Sequence, residues 1–205
     1  MVSGQADGRW ERRLGIVTGA GDYEKEDANH SRYEPTSYAV LERLAESGQI
    51  GRDDVVLDYG CGKGRTGFYL NYALGCRTVG VEYNAALFTQ AQENLASYVG
   101  RKAAEGRIRF ACANAEDYAV GDANCFYFFN PFSLKILQTA VQRIFEAYYS
   151  DPKTMKLFFY YATDEYLRWL MGEERLEFAG EIDCRDLFHN DDPKEKIWMF
   201  RIEGM

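Results

Sequence analysis

The chain has 205 residues, 46% apolar and 15% aromatic, which is enough for one domain with a substantial core and argues against disorder and against two domains. A formal net charge of −8 argues against attraction to bulk nucleic acid and points to small molecules or proteins as partners. Cys61, Cys76, Cys112, Cys125 and Cys184 form no C-x-x-C pair, so neither a zinc site nor a disulfide framework is expected; with no signal-peptide core and no run of roughly 18 apolar residues, no membrane span is expected and the sequence reads as cytoplasmic.

Residues 1 to 32 are rich in glycine and charge without sustained periodicity, and read as a flexible arm or lid with room for one short helix. Within them Gly15-Ile16-Val17-Thr18-Gly19-Ala20-Gly21 imitates the nucleotide loop of short-chain dehydrogenases. No adequate strand precedes it and polar residues follow it, so a mobile turn is expected. His30 in this arm and His189 near the end lack metal-ligand spacing, and no metal is expected. The main domain is read as residues 33–205. Tyr33-Glu34-Pro35-Thr36-Ser37 opens a helix, with Thr36 or Ser37 as cap, an apolar face of Val40, Leu41, Leu44 and Ala45, and a stop at Gly48.

Val55-Val56-Leu57 then make a short buried strand, Asp58 stands at its end, and Gly60, Gly62 and Gly64 let the backbone close on a ligand at the start of the next helix. Two registers compete. Read as Gly62-x-Gly64-x-x-Gly67, with Glu82 where an acid can hold ribose hydroxyls, the loop fits a dinucleotide fingerprint and a nicotinamide oxidoreductase. Read as Asp58-x-Gly60-x-Gly62-x-Gly64, it resembles the loop of class I S-adenosylmethionine-dependent methyltransferases. A pyrophosphate at Asp58 would meet a like charge, whereas an ammonium and a sulfonium would meet an opposite one. Lys63 and Arg65 could neutralise a phosphate, so the loop alone leaves both registers open.

Further along, a helix over Phe68 to Leu74 leads to a strand over Thr78 to Glu82, whose terminal acid suits a ribose diol. A long helix from Ala85 to about Ala104 precedes a strand over Ile108 to Cys112. Asn114-Ala115 follows at the carboxyl edge, with Asn114 suited to an adenine edge or to an ordinary turn. Cys125 to Phe129 is a buried strand ending in Asn130-Pro131-Phe132, where a methyl acceptor would sit, followed by a helix from Ser133 to Tyr149. A strand over Lys156 to Tyr160, a helix over Tyr161 to Met171 and strands over Leu176 to Ile182 and Ile197 to Ile202 complete the chain, with an acidic tip at His189 to Pro193. Tyr160, Tyr161 and Asp164 are candidates for an acceptor pocket.

Taken in order, Asp58-x-Gly60-x-Gly62-x-Gly64, Glu82, Asn114-Ala115 and Asn130-Pro131-Phe132 make the chain resemble a class I S-adenosylmethionine-dependent methyltransferase over about Tyr33 to Ile202, closest to small bacterial members with a Gly-Lys-Gly-Arg loop and an Asn-Pro-Phe strand end. The resemblance implies an α/β fold, a doubly wound Rossmann-like sheet of seven mostly parallel strands with a C-terminal antiparallel hairpin. It implies S-adenosylmethionine as cofactor. Gly60, Gly62 and Gly64 would approach its methionine and ribose, Asp58 its amino group and Glu82 its ribose hydroxyls. Asn114 with the Ala115 backbone would meet adenine, and Tyr33 and Thr36 would border the pocket. The family more often has an aspartate where Asn114 stands. By the same resemblance Asn130, Pro131 and Phe132 would hold a nitrogen acceptor, ahead of oxygen, on a small molecule or protein, although amine methylases carry two prolines in that motif. Alternatives are an inactive donor-binding module and the nicotinamide oxidoreductase.

Overall fold

The computed structural model describes residues 2–19, 33–100, 102, 105–189 and 191–203, so His30 and the end of the Gly15 to Gly21 stretch lie outside the described residues. Seven strands form one sheet: β1 (Val55–Tyr59), β2 (Arg77–Glu82), β3 (Ile108–Cys112), β4 (Cys125–Phe129), β5 (Met155–Tyr160), β6 (Glu177–Asp183) and β7 (Lys196–Ile202), in the order β3-β2-β1-β4-β5-β7-β6. Pairing is parallel from β3 to β5, while β7 runs antiparallel to both β5 and β6. This is the expected doubly wound sheet with its antiparallel closure. β1 is buried throughout and β4 over all but its last residue, as central strands covered on both faces must be.

Side chains alternate between two apolar layers. Leu57, Phe126, Phe128 and Phe159 pack with Leu137, Val141 and Phe145 of α5 (Leu134–Ser150) and with Tyr166 and Leu170 of α6 (Asp164–Gly172). Val56, Tyr127 and Phe158 face the opposite layer. There they meet Leu14 of α1 (Val2–Leu14), Leu41 and Leu44 of α2 (Tyr38–Glu46) and Phe68 of α3 (Arg65–Leu74). Among the described residues no helix is long and apolar enough to cross a membrane.

Several boundaries differ from the sequence reading, and long-range contacts explain them. The helix expected to reach Ala104 is α4 (Ala85–Ser97), because Tyr98 leaves it with ψ 126°. Tyr98 then buries its ring, its hydroxyl 3.3 Å from Phe68 O and 3.2 Å from Asn71 Oδ1. The helix expected from Tyr161 starts at Asp164, since Tyr161 takes a left-handed φ of 54° and Thr163 Oγ1 accepts the Tyr166 N–H at 3.2 Å. Ser37 is the N-cap of α2 without a side-chain cap bond, and Thr36 instead turns inward to share a 3.1 Å hydrogen bond with the Tyr127 hydroxyl. The N-terminal segment is packed where an arm was expected: α1 spans residues 2–14, and Leu14, Ile16 and Thr18 are buried. At the far edge of the sheet, β6 carries an irregularity between Phe178 and Gly180, where Gly180 has φ 122°.

β2 passes tightly beneath the loop that follows β1. A methyl group on Gly80 would sit 2.6 Å from Cys61 Sγ and 2.7 Å from the Phe110 ring. Gly80→Ala should therefore cost about 1–3 kcal/mol of stability by overpacking, read as a lower urea midpoint with an unchanged m-value.

Candidate functional site

Strand order reverses between β1 and β4, and ligands of open α/β sheets bind at the carboxyl edge of such a switch point. A crevice opens there. Its wall includes Tyr33, Thr36, Asp58, Gly60, Glu82 and Ala115, with Pro131 and Phe132 on the β4 side.

The loop after β1 is shaped by its glycines. Gly60, Gly62 and Gly64 have φ of 74°, 55° and 88°, a left-handed backbone that other residues adopt at a cost of roughly 1–2 kcal/mol each. Each is also crowded by the protein itself: a Cβ would lie 2.5 Å from Pro131 at Gly60, 2.1 Å from the Tyr33 ring at Gly62 and 2.5 Å from the Phe110 ring at Gly64. Glu82, ending β2, fixes the turn. Its Oε2 accepts the Gly62 N–H at 2.9 Å and its Oε1 the Asn84 N–H at 2.8 Å. The Glu82 side chain also lines the crevice.

Asp58 lies in β1, opposite Gly80 of β2 and Tyr127 of β4. It is 4% exposed. Burial pushes its carboxyl up to about 7, the Glu82 charge adds to the rise, and a hydrogen bond with Thr66 opposes it. An acid so placed is ready to ionise against a cation entering the crevice.

Lys63 and Arg65 are engaged by the N-terminal segment, Arg65 while also lining the crevice. Lys63 Nζ donates to Gly19 O at 2.8 Å. Arg65 is buried; it donates to Asp7 Oδ2 and Thr18 Oγ1 at 2.7 Å each, to Thr36 O at 3.1 Å and to Glu11 Oε1 at 3.2 Å, with the Tyr38 ring 4.5 Å from its guanidinium carbon. Asn94 of α4 joins the same seam, accepting the Val17 N–H at 2.8 Å and donating to Val17 O and Lys63 O at 3.1 Å each. Tyr33 closes it, donating to Thr18 O at 2.7 Å. The stretch expected to be a mobile turn is thus bolted to the glycine loop over its described residues.

Of the residues singled out in the sequence, Gly62, Gly64, Asn114 and Asn130 do not line the crevice. Asn114 is exposed and donates to Asp117 Oδ2 at 3.3 Å. Asn130 takes a left-handed φ of 40° at the end of β4. The wall also contains Thr66, Tyr83, Leu87, Ala113 and Tyr127, which sequence reasoning missed. The adjacency of Tyr83-Asn84 to Glu82 was an available signal; Asn84 caps α4 by accepting the Ala86 and Leu87 N–H groups at 2.9 and 3.3 Å.

Two outcomes follow from these charges. The Asp58 carboxyl is held above its unfolded value of 3.8, so its cost to the fold grows as pH rises from about 4 to 7. Asp58→Asn should accordingly be more stable than the parent by up to roughly 4 kcal/mol at pH 8, the gap closing by pH 4, in paired urea melts. Arg65→Ala strips the counter-charge from Asp7 and Glu11 and should cost about 3–5 kcal/mol, with the amides of residues 15–19 losing hydrogen-exchange protection.

A family model described as "Methyltransferase domain" matches residues 56–150. No curated protein matches the chain. Among solved structures, a putative RNA methyltransferase from Pyrococcus horikoshii aligns with a TM-score of 0.64 at 14% identity, covering 100% of both chains. An RNA methyltransferase from Salinibacter ruber, in complex with S-adenosyl-L-homocysteine, aligns with a TM-score of 0.55 at 17% identity, covering 84% of this chain and 95% of its own. A TehB-like SAM-dependent methyltransferase from Corynebacterium glutamicum gives 0.55 at 17% identity, covering 80% of this chain and 88% of its own. At these identities the structural likeness speaks for the fold. The methyltransferase-domain match falls on the strands and loop that build the crevice.

Proposed function

We propose that the protein moves a methyl group from S-adenosylmethionine to a nitrogen of a small-molecule or protein acceptor. The observation that carries the donor assignment is the buried Asp58 carboxyl in the crevice wall, with the Lys63 ammonium and the Arg65 guanidinium already bonded to the N-terminal segment. A diphosphate there would meet Asp58 and Glu82. An α-ammonium and a sulfonium would meet complementary charge, which a desolvated site strengthens. The same crevice has apolar wall for a base in Val81, Leu87, Ala113 and Ala115, and the Glu82 carboxylate in its wall suits a ribose diol.

When bound, the donor supplies a methyl carbon activated by its sulfonium, which the acceptor's lone pair takes as the carbon–sulfur bonding pair leaves on sulfur. Alignment and exclusion of water are then the protein's tasks. Asp58 orients the donor's amino group, Gly60 lets the backbone approach, and Tyr33 and Thr36 border the donor pocket. Asn114 and Ala115 are assigned to the adenine end through the Ala115 side of the wall. On the acceptor side Pro131 and Phe132 face the crevice and Asn130 sets the turn that presents them.

Calorimetric titration with S-adenosylhomocysteine should show saturable binding, and Asp58→Ala should weaken it by roughly 1.5–3 kcal/mol through loss of one charge-assisted bond. No heat at millimolar ligand, or an NADH fluorescence enhancement in its place, would overturn the donor assignment.

A further inference from the structure

Beside the crevice a second recess is lined by Phe129, Tyr160, Tyr161, Phe188, Glu34 and Glu195. Glu34, Pro35, Arg65 and Phe129 line both spaces, so the recess adjoins the donor crevice at the carboxyl ends of β4 and β5. Its aromatic wall is built by neighbouring strand ends: Phe129 and Tyr160, paired in register, stand 4.7 Å apart by ring centroids, and Tyr161 lies 6.3 Å from Phe129. Tyr161 is held in its left-handed conformation while its hydroxyl donates to Asp192 Oδ2 at 2.6 Å.

Glu195 is the feature that nothing above uses. It is 8% exposed, its Oε2 accepts the Tyr160 hydroxyl, and its Oε1 accepts no hydrogen bond from any described residue. Asp7 and Glu11, also in the wall, share the single cation Arg65. Glu34 and Glu195 have no such ion pair among the described residues. Lys194 is exposed and sits 6.0 Å from the Tyr161 ring centroid. That Glu195 oxygen is open to the recess, where it can accept from a cation or a donor, and the aromatic faces beside it favour that cation being an ammonium.

We propose that this recess is the acceptor subsite and that it takes a cationic amine, with an ammonium held between the Glu195 carboxylate and the Phe129, Tyr160 and Tyr161 rings; having no lone pair, that ammonium anchors the acceptor and is not the nitrogen that takes the methyl group. The assignment rests on the methyl-transfer reading above for the word acceptor, while the cation site itself stands on the recess alone. The same acids repel a phosphate backbone, so an amine is favoured over a nucleic acid at this position.

The test titrates n-butylammonium and its neutral counterpart 1-butanol into the full chain, with and without S-adenosylhomocysteine, following tyrosine resonances by NMR. Saturable shifts of Tyr160 and Tyr161 are expected with the ammonium, and binding of the alcohol weaker by roughly tenfold. Glu195→Gln should weaken the ammonium by about tenfold while leaving S-adenosylhomocysteine affinity unchanged, which also reports that the variant is folded. Tyr161→Leu should weaken it by about threefold. Equal binding of alcohol and ammonium, unaltered ammonium affinity in Glu195→Gln, or shifts spread over the acidic surface without saturation would overturn the proposal and leave Glu195 and Tyr160 as a structural acid–phenol pair. Absence of S-adenosylhomocysteine binding with the ammonium site intact would instead strike the donor assignment.

Discussion

The site depends on a backbone constraint: three alternate residues after β1 must turn left-handed within a span of five. Only glycine adopts that geometry at no steric cost, and here each glycine is doubly required because a ring or a proline occupies the space a side chain would need. The turn draws Pro131 down from the end of β4, Tyr33 across from the entry to α2 and Phe110 up from β3. Three elements distant in sequence are thereby gathered around one loop, and the crevice is the space left between them. Glu82 fixes the turn from the second strand by taking the Gly62 amide, so one acid both shapes the loop and faces the crevice.

Much of this architecture is legible in the sequence because its causes are local. The runs Val55-Val56-Leu57 and Cys125 to Phe129 are apolar without alternation, as central parallel strands require, and the glycine spacing states the turn directly. The acid closing β2 falls where the strand ends. What stays hidden is what tertiary contacts decide. Nothing in the periodicity of residues 85–104 says that Tyr98 leaves the helix to reach Phe68 and Asn71. Likewise Thr36 has the composition of a cap, yet its hydroxyl is claimed by Tyr127, a residue 91 positions away.

The N-terminal segment is the clearest case of this limit. Its glycines and charges suggest a solvated arm, and on composition that inference is sound. The charges turn out to be the counterparts of Arg65, a residue inside the glycine loop that looked suited to a phosphate. Neither half of that pairing is recognisable alone. Fold-level likeness cannot supply the missing half either, since one α/β scaffold carries many chemistries and the acceptor is written in side chains such as Glu195 and Tyr161.

The irregular β6 has a consequence of a different kind. An outermost strand displays a row of backbone donors and acceptors that another chain can copy onto. Here the row is broken where Gly180 shifts register, and Glu177 and Glu181 spend their charge on Arg201 and Lys196 of the adjoining strand. That kink and those ion pairs work against a further strand adding to the β6 edge of the sheet.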